Sequence, residues 1–190
     1  MEYFMKVLEK AKSFITEPSK AFKKEGKTSF GEAFKYLLVL GIINAVLGGL
    51  IAGAILGPLG IVGAIVGIYI LMVVGSLVGG LLLHVFACIV GAKKGIEQTF
   101  KALFFGQTPV LLLGWIPVIG WVMSIWGIVL SIIGLKELHK ISLFKAILAY
   151  VLLIVVVMVV ILAISAMLFA SLVMVGMPGM DMSQMLAVPY

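Results

Sequence analysis

The chain has no arginine, a single cysteine and eight acidic residues, and along three long stretches it has no charge at all. Without arginine there are no planar guanidinium forks for phosphate. The 14 lysines flank apolar runs, so they are expected to set membrane topology and meet anionic lipid head groups, with no nucleic acid as partner. One cysteine excludes an internal disulfide. The charge-free stretches cover residues 36–92, 102–135 and 146–180, each longer than the ~20 apolar residues that cross a bilayer. Charged residues make up 12% and hydrophobic residues 63%, against about 25% and roughly 45–50% in soluble domains. A soluble core of this size has too little polar surface to cover that excess. Also missing are a nucleophile–base pair, paired carboxylates, a phosphate-cradling loop and a dinucleotide fingerprint. The glycine-rich stretches lie inside apolar runs, where a phosphate is expensive to bury. The expectation is a non-catalytic membrane protein that needs no cofactor.

What is present is organised by where the lysines fall. Residues 1–29 form a polar N-terminal segment with no signal-peptide cleavage pattern, so the first apolar run is expected to stay as an anchor. Phe4, Val7, Leu8, Ala11, Phe14 and Ile15 fall on helical spacing, which predicts an amphipathic helix to residue 15. Two placements fit it, in the head-group layer or packed on the rest of the protein. Pro18 breaks it, and a short helix follows through Phe22 to near Gly26. Ser29 and Glu32 read as a capping box. Membrane helices are then expected at about 30–56, 61–90, 96–113, 118–135 and 142–175, followed by a Met-rich tail over 176–190. The expected fold is an all-α integral membrane bundle of five transmembrane helices with an amphipathic N-terminal cytoplasmic segment. The weakest crossing is 96–113, which also fits a re-entrant hairpin with the next helix. Residues 151–164 are rich in β-branched side chains, yet an isolated strand in lipid leaves its backbone unpaired. Twelve of those fourteen are Leu, Ile or Val, favouring helix insertion by roughly 4–7 kcal/mol.

Basic segments set the orientation. Residues 1–35 carry net +3, and residues 93–101 and 136–145 carry net +2 each, whereas the turns at 57–60 and 114–117 carry none. With five crossings, or with a hairpin in the middle, all three basic segments share one side. The N-terminus is therefore expected in the cytoplasm and the C-terminus outside the cell membrane.

Few residues in the apolar segments carry chemistry. Gly49, Gly53 and Gly57 form a GxxxGxxxG run, and Gly63, Gly67, Gly75 and Gly79 share a four-residue register. Small residues so spaced let helix backbones approach, so the first two helices are expected to pack as a tight hairpin; a pore lining is the alternative. His84 and Cys88 lie on one helix face, and His139 is expected at the same depth in the last cytoplasmic loop. The three fit either a Zn²⁺ site lacking a fourth ligand or an ordinary polar helix end. Gln107, Thr108 and Pro109 form the most polar step within a membrane segment. Pro109 is expected to kink the helix and free a carbonyl, which Gln107 or Thr108 can satisfy. Met174, Met177, Met180, Met182 and Met185 near the C-terminus fit a lipid-touching tail or a Cu(I) scavenger.

Three stretches carry a family resemblance. Glu17-Pro18-Ser19-Lys20-Ala21-Phe22 resembles the entry to the first helix in the Yip-domain family, the Ypt/Rab-interacting membrane proteins. Gln107-Thr108-Pro109 is similar to that family's small/polar-x-Pro step. The third stretch, from Gly134 through His139 to Ser142, Lys145 and Ala146, resembles the turn before the last helix. The resemblance implies five membrane helices and a cytoplasmic N-terminus. Eukaryotic members act in vesicle trafficking and bind small GTPases through cytoplasmic N-terminal regions; here that region is about 35 residues. The lack of arginine and the compact loops look more like an archaeal or bacterial branch. The resulting expectation is a membrane scaffold or adaptor, with lipids and a membrane protein or a second copy as partners. A small-solute or metal-ion transporter is the alternative.

Overall fold

The computed structural model describes residues 2–176, which are helical apart from short connections. The chain divides into two compact units, Met1–Val151 and Leu152–Tyr190. The first holds α1 (Glu2–Thr16), α2 (Pro18–Glu25), α3 (Phe30–Leu56), α4 (Pro58–Ile89), α5 (Ile96–Gly106), α6 (Thr108–Leu113), α7 (Ile119–His139) and the opening turns of α8 (Leu143–Gly176). The second, within the described residues, is the remainder of α8, a continuous apolar helix with exposed side chains from Ile154 to Leu172. Met177, Met180, Met182 and Met185 lie outside the described residues, as does the side chain of Met174, and the copper reading lies outside with them.

Four stretches are long and apolar enough to cross a membrane: Phe30–Gly53, Gly60–Ile89, Ile119–His139 and Leu143–Leu172. The segment expected as one crossing over 96–113 is instead two helices broken at Gln107. Even laid end to end they reach only about 27 Å, short of the ~30 Å hydrocarbon core. Length and composition alone mark four spans among the described residues; the broken α5–α6 segment runs antiparallel along α7, from Ala102 against Gly134 to Gly114 against Gly120, and joins one end of the bundle to the other.

Local chemistry accounts for the boundaries. Ser29 Oγ accepts the Glu32 N–H at 3.3 Å and caps α3. Gly57, at φ 78° and ψ 175°, is the whole α3–α4 turn, because Pro58 already occupies the first turn of α4. The turn is thus shorter than the expected 57–60. Ser142 caps α8, its Oγ accepting the Lys145 N–H at 3.4 Å. Helix α7 runs a full turn further than expected, through Lys136 to His139. His139 is therefore a helical residue rather than a loop residue, and it is buried.

Helix α5 is the centre of the first unit. Every residue from Thr99 to Gly106 is buried, which requires protein on all sides of the helix. It packs against α3, α4 and α7, and α1 also reaches it. The closest approach is to α7. A Cβ placed on Gly106 would lie 2.8 Å from Ser131 Cα and 2.8 Å from its backbone nitrogen, and one on Gly134 would lie 3.0 Å from Ala102 Cα. Gly127 faces the same helix, 3.4 Å from the Gly106 carbonyl oxygen by the same measure.

The glycines singled out in α3 and α4 behave unequally. In α3, Gly49 and Gly53 receive the side chains of Ile65 and Ile61 from α4. In α4, Gly63, Gly67 and Gly75 have nothing within 4 Å of where a Cβ would stand, and Gly79 has only a distant Leu103 methyl. This corrects the expectation that both glycine registers meet. Helical rotation explains it: Gly63 and Gly67 follow Ile61 and Ile65 by two residues, about 200° around the helix. Isoleucine knobs from α4 enter glycine hollows on α3, and the α4 glycines point elsewhere.

The N-terminal helices belong to this packing. Val7, Ala11 and Phe14 of α1 are buried, as are Ala21 and Phe22 of α2. Phe14 stacks on Phe105 at 4.7 Å between centroids and meets Phe22 edge-on at 4.8 Å, while Tyr36 closes on Phe105 at 5.1 Å.

Alanine at Gly106 and at Gly63 makes a matched test. Gly106→Ala is expected to lower stability by about 1–3 kcal/mol, because the methyl group meets backbone that cannot turn aside. Gly63→Ala is expected to be neutral, or stabilising by up to about 1 kcal/mol, through helix propensity. Thermal unfolding in detergent reads both, and equal losses would mean that the α5–α7 approach is not a tight contact.

Candidate functional site

Polar residues inside the apolar bundle cluster along α5 and α6, and Thr99, Lys101, Gln107 and Thr108 each find a partner from a distant part of the chain. At the break, Pro109 has no N–H to give to the Phe105 carbonyl. Thr108 Oγ donates to that carbonyl in its place. A hydroxyl carries one proton, so in the 2.8 Å contact between Tyr36 Oη and Thr108 Oγ the tyrosine is the donor. The order is Tyr36 to Thr108 to the Phe105 carbonyl, wholly buried. Gln107 Oε1 accepts from Ser76 Oγ at 2.9 Å, and Asn44 Nδ2 donates to the Val110 carbonyl at 2.8 Å. The segment is broken at Gln107, and Thr108 beside the break meets the carbonyl that Pro109 leaves open.

A second network lies toward the lysine-bearing end. Thr99 Oγ sits 2.9 Å from His84 Nδ1 and 2.9 Å from His139 Nε2. Cys88 Sγ is 3.5 Å from His84 Nε2. The structure thus brings His84, Cys88 and His139 into one neighbourhood, but a threonine hydroxyl stands between the two imidazoles, whose centroids are 6.2 Å apart. Among the described residues no three metal-ligating side chains form a cluster. The arrangement is a hydrogen-bonded chain across α4, α5 and α7. His139 Nδ1 at its end is buried without a partner.

Lys101 was absent from the sequence-derived candidates. It is 2% exposed, and its Nζ donates to the carbonyls of Gly26 at 2.8 Å and Thr28 at 3.0 Å. Those carbonyls follow the C-terminus of α2, where a cation is favoured by the free C=O groups and the helix dipole. Lys101 therefore pins the α2–α3 connection to α5. Its signal was available: it is the last charge before the stretch 102–135 and sits between phenylalanines on a helix that is buried all round. Tyr36, Asn44, Ser76 and Thr99 were also missed, although Asn44 and Ser76 are rare polar residues in the stretch 36–92.

Two of the three motif stretches prove to be halves of one contact. The Phe22 ring, near the N-terminus, lies over Gly134 of α7, within 2.8 Å of where a Cβ would stand. Pro18 starts α2 and so sets the direction in which Phe22 enters. Beside it Glu17 pairs with Lys20 at 2.9 Å, and that hydrogen bond holds the Lys20 ammonium above the ordinary lysine range. The pair is on the surface and contributes little to stability.

A family model described as the Yip1 domain matches residues 12–165. No curated protein and no solved structure matches the chain.

Two near-isosteric substitutions test the proton order at the break. Thr108→Val strands the Phe105 carbonyl and the Tyr36 hydroxyl together, and is expected to cost about 1–3 kcal/mol. Tyr36→Phe removes a donor but leaves Thr108 bonded to Phe105, at about 0.5–1.5 kcal/mol. Unfolding in detergent should rank Thr108→Val as the more damaging; the reverse ranking would contradict the assigned order.

Proposed function

We propose, because the chain belongs to the Yip1 domain family, that this multi-pass membrane protein works by assembly, as a scaffold or adaptor that organises lipid or partner proteins. Members of the family are generally non-catalytic proteins of membrane trafficking. The observation that carries the reading is the pairing of the buried polar groups with one another. Tyr36, Asn44, Ser76, Gln107 and Thr108 are each taken up by another group of the protein, and α5 fills the middle of the first unit. A transport path calls for ionisable groups facing a wet cavity. Here Thr108 meets the freed carbonyl and Gln107 is held by Ser76, unlike the broken helices that hold ions in transporters. The lysine-bearing end is assigned to the cytoplasm and the charge-free turns to the outside of the cell membrane, by the bias of lysine between the connections. The absence of arginine and the short connections favour an archaeal or bacterial branch of the family.

Flux and topology are both open to measurement. Liposomes containing the protein are expected to pass metal ions, protons and small metabolites no faster than empty vesicles. A saturable flux abolished by Gln107→Leu would establish transport instead. In a Cys88→Ala background, a cysteine at Lys93 is expected to resist an impermeant reagent in intact cells and one at Ser183 to react. The opposite pattern would invert the orientation.

A further inference from the structure

At the lysine-bearing end, four separate segments converge on a cavity of about 260 Å³. Lys23 comes from the last turn of α2, Lys27 from the α2–α3 connection, Lys94 from the α4–α5 connection and Lys140 from the C-terminal cap of α7. Glu137 is the one carboxylate in the lining. It is held 3.7 Å from Lys23 and 3.4 Å from Lys136. Among the described residues Lys27, Lys94 and Lys140 have no carboxylate within ion-pair distance. The floor is apolar, formed by Phe22 and Leu138 beside the Phe22–Gly134 contact.

Three further features bear on what the cavity holds. Lys140 has left-handed backbone, φ 59° and ψ 37°, in a cap position where glycine is the unstrained choice. A lysine there strains the backbone and packs against little, since it is exposed; strain of this kind collects at functional positions. Gln98, in the first turn of α5, lines the cavity with its Oε1 buried and unpartnered. A half-turn of the carboxamide puts an N–H donor at the same spot. Helix α5 also begins after Gly95 without a side-chain cap, leaving backbone donors at its N-terminus. The ends of α2 and α7 oppose an anion with their carbonyls, but the Lys101 ammonium already covers the Gly26 carbonyl.

We propose that this cavity binds the phosphate of an anionic lipid head group, with a phosphomonoester preferred over a zwitterionic head. Lysines recognise phosphate as point charges, and a dianion matches three unpaired ammonium groups better than a single charge. The lipid source follows from position: the cavity opens where α3 begins and α7 ends, at the limit of two membrane spans, which is the depth of the head groups. The inference rests on the multi-pass membrane reading and is independent of the scaffold role.

The test uses the full chain in detergent, followed by thermal shift with short-chain phosphatidic acid, phosphatidylcholine of equal chain length, or inorganic phosphate. Phosphatidic acid is expected to raise Tm in a saturable way, and the other two are not. The Lys27→Gln/Lys94→Gln/Lys140→Gln variant should weaken phosphatidic acid binding roughly a hundredfold, about fivefold per lysine. A control that removes equal charge elsewhere, Lys12→Gln/Lys20→Gln/Lys24→Gln, should leave it unchanged. Equal loss in both variants, or none in the first, overturns the site in favour of general surface charge. An equal shift with inorganic phosphate overturns the lipid source. Should the triple variant fail to fold, Lys140→Gly decides. Relief of the left-handed lysine should raise Tm without lipid while lowering the shift that phosphatidic acid produces. A gain in both would show that Lys140 has no part in binding.

Discussion

Inside a bilayer no water is available to a carbonyl that loses its helical partner, and the architecture of residues 2–151 follows from how that is handled at one proline. Pro109 removes the donor that Phe105 would use. Thr108 supplies another, and Tyr36 satisfies Thr108. For Tyr36 to reach, α3 must lie against the break. For Phe105 to be screened from lipid, Phe14 of α1 must stack on it. One missing N–H thus ties together helices that begin more than seventy residues apart in sequence, since Tyr36 and Thr108 are 72 positions apart.

The same central helix demands small neighbours. A helix buried on every face can carry bulk only where the partner yields room, and Phe100, Phe104 and Phe105 supply a great deal of bulk. Gly80 of α4 makes way for the Phe100 ring, and Gly127 and Gly134 of α7 let α5 approach backbone to backbone. In lipid, where apolar surface gains little by hiding, such close contact supplies the dispersion energy that holds helices together. Gly134 then does two things. It admits Ala102 of α5, and it gives the Phe22 ring a place to lie. That is why a motif before the first span and a motif before the last depend on each other.

The membrane helices were legible because charge and lipid are incompatible, so gaps between lysines mark spans to within a few residues. Ser29 fixed one end through a local rule and needed no partner, whereas Pro58, expected inside a four-residue turn, is the first residue of α4. What stayed hidden was direction around the helix. Gly63 and Gly67 have the same spacing as Gly49 and Gly53, yet they face away from α3, and spacing alone cannot distinguish a knob from a hollow. The useful register was the seven-residue one, Gly120, Gly127 and Gly134, which places small residues on one side of α7. The polar step at Gln107–Pro109 was visible as a break. Its partners were not, because Ser76 and Tyr36 carry no local mark of what they meet. His84 and Cys88 were legible as one helix face, but His139 was expected in a loop and is the last residue of α7, and Thr99, which stands between the two imidazoles, looked like any first-turn threonine.

The two ends of the chain's first unit differ in kind, and the difference bears on how such a protein associates with others. At the charge-free end α6 and α7 are joined by Gly114 to Val118, where Val118 takes a positive φ that a β-branched residue rarely adopts. Nothing charged is offered there. At the opposite end α1 and α2 are fastened by aromatic stacking and by Lys101, so the short N-terminal segment is part of the folded unit and is no free tethered ligand. A partner that reads this end meets a fixed surface whose lysines keep their spacing. Recognition of that sort favours a target with fixed charge of its own, and the side of the membrane rich in anionic head groups presents such targets continuously. If the proposed lipid site is occupied, a protein that reads this end would compete for the same ammonium groups.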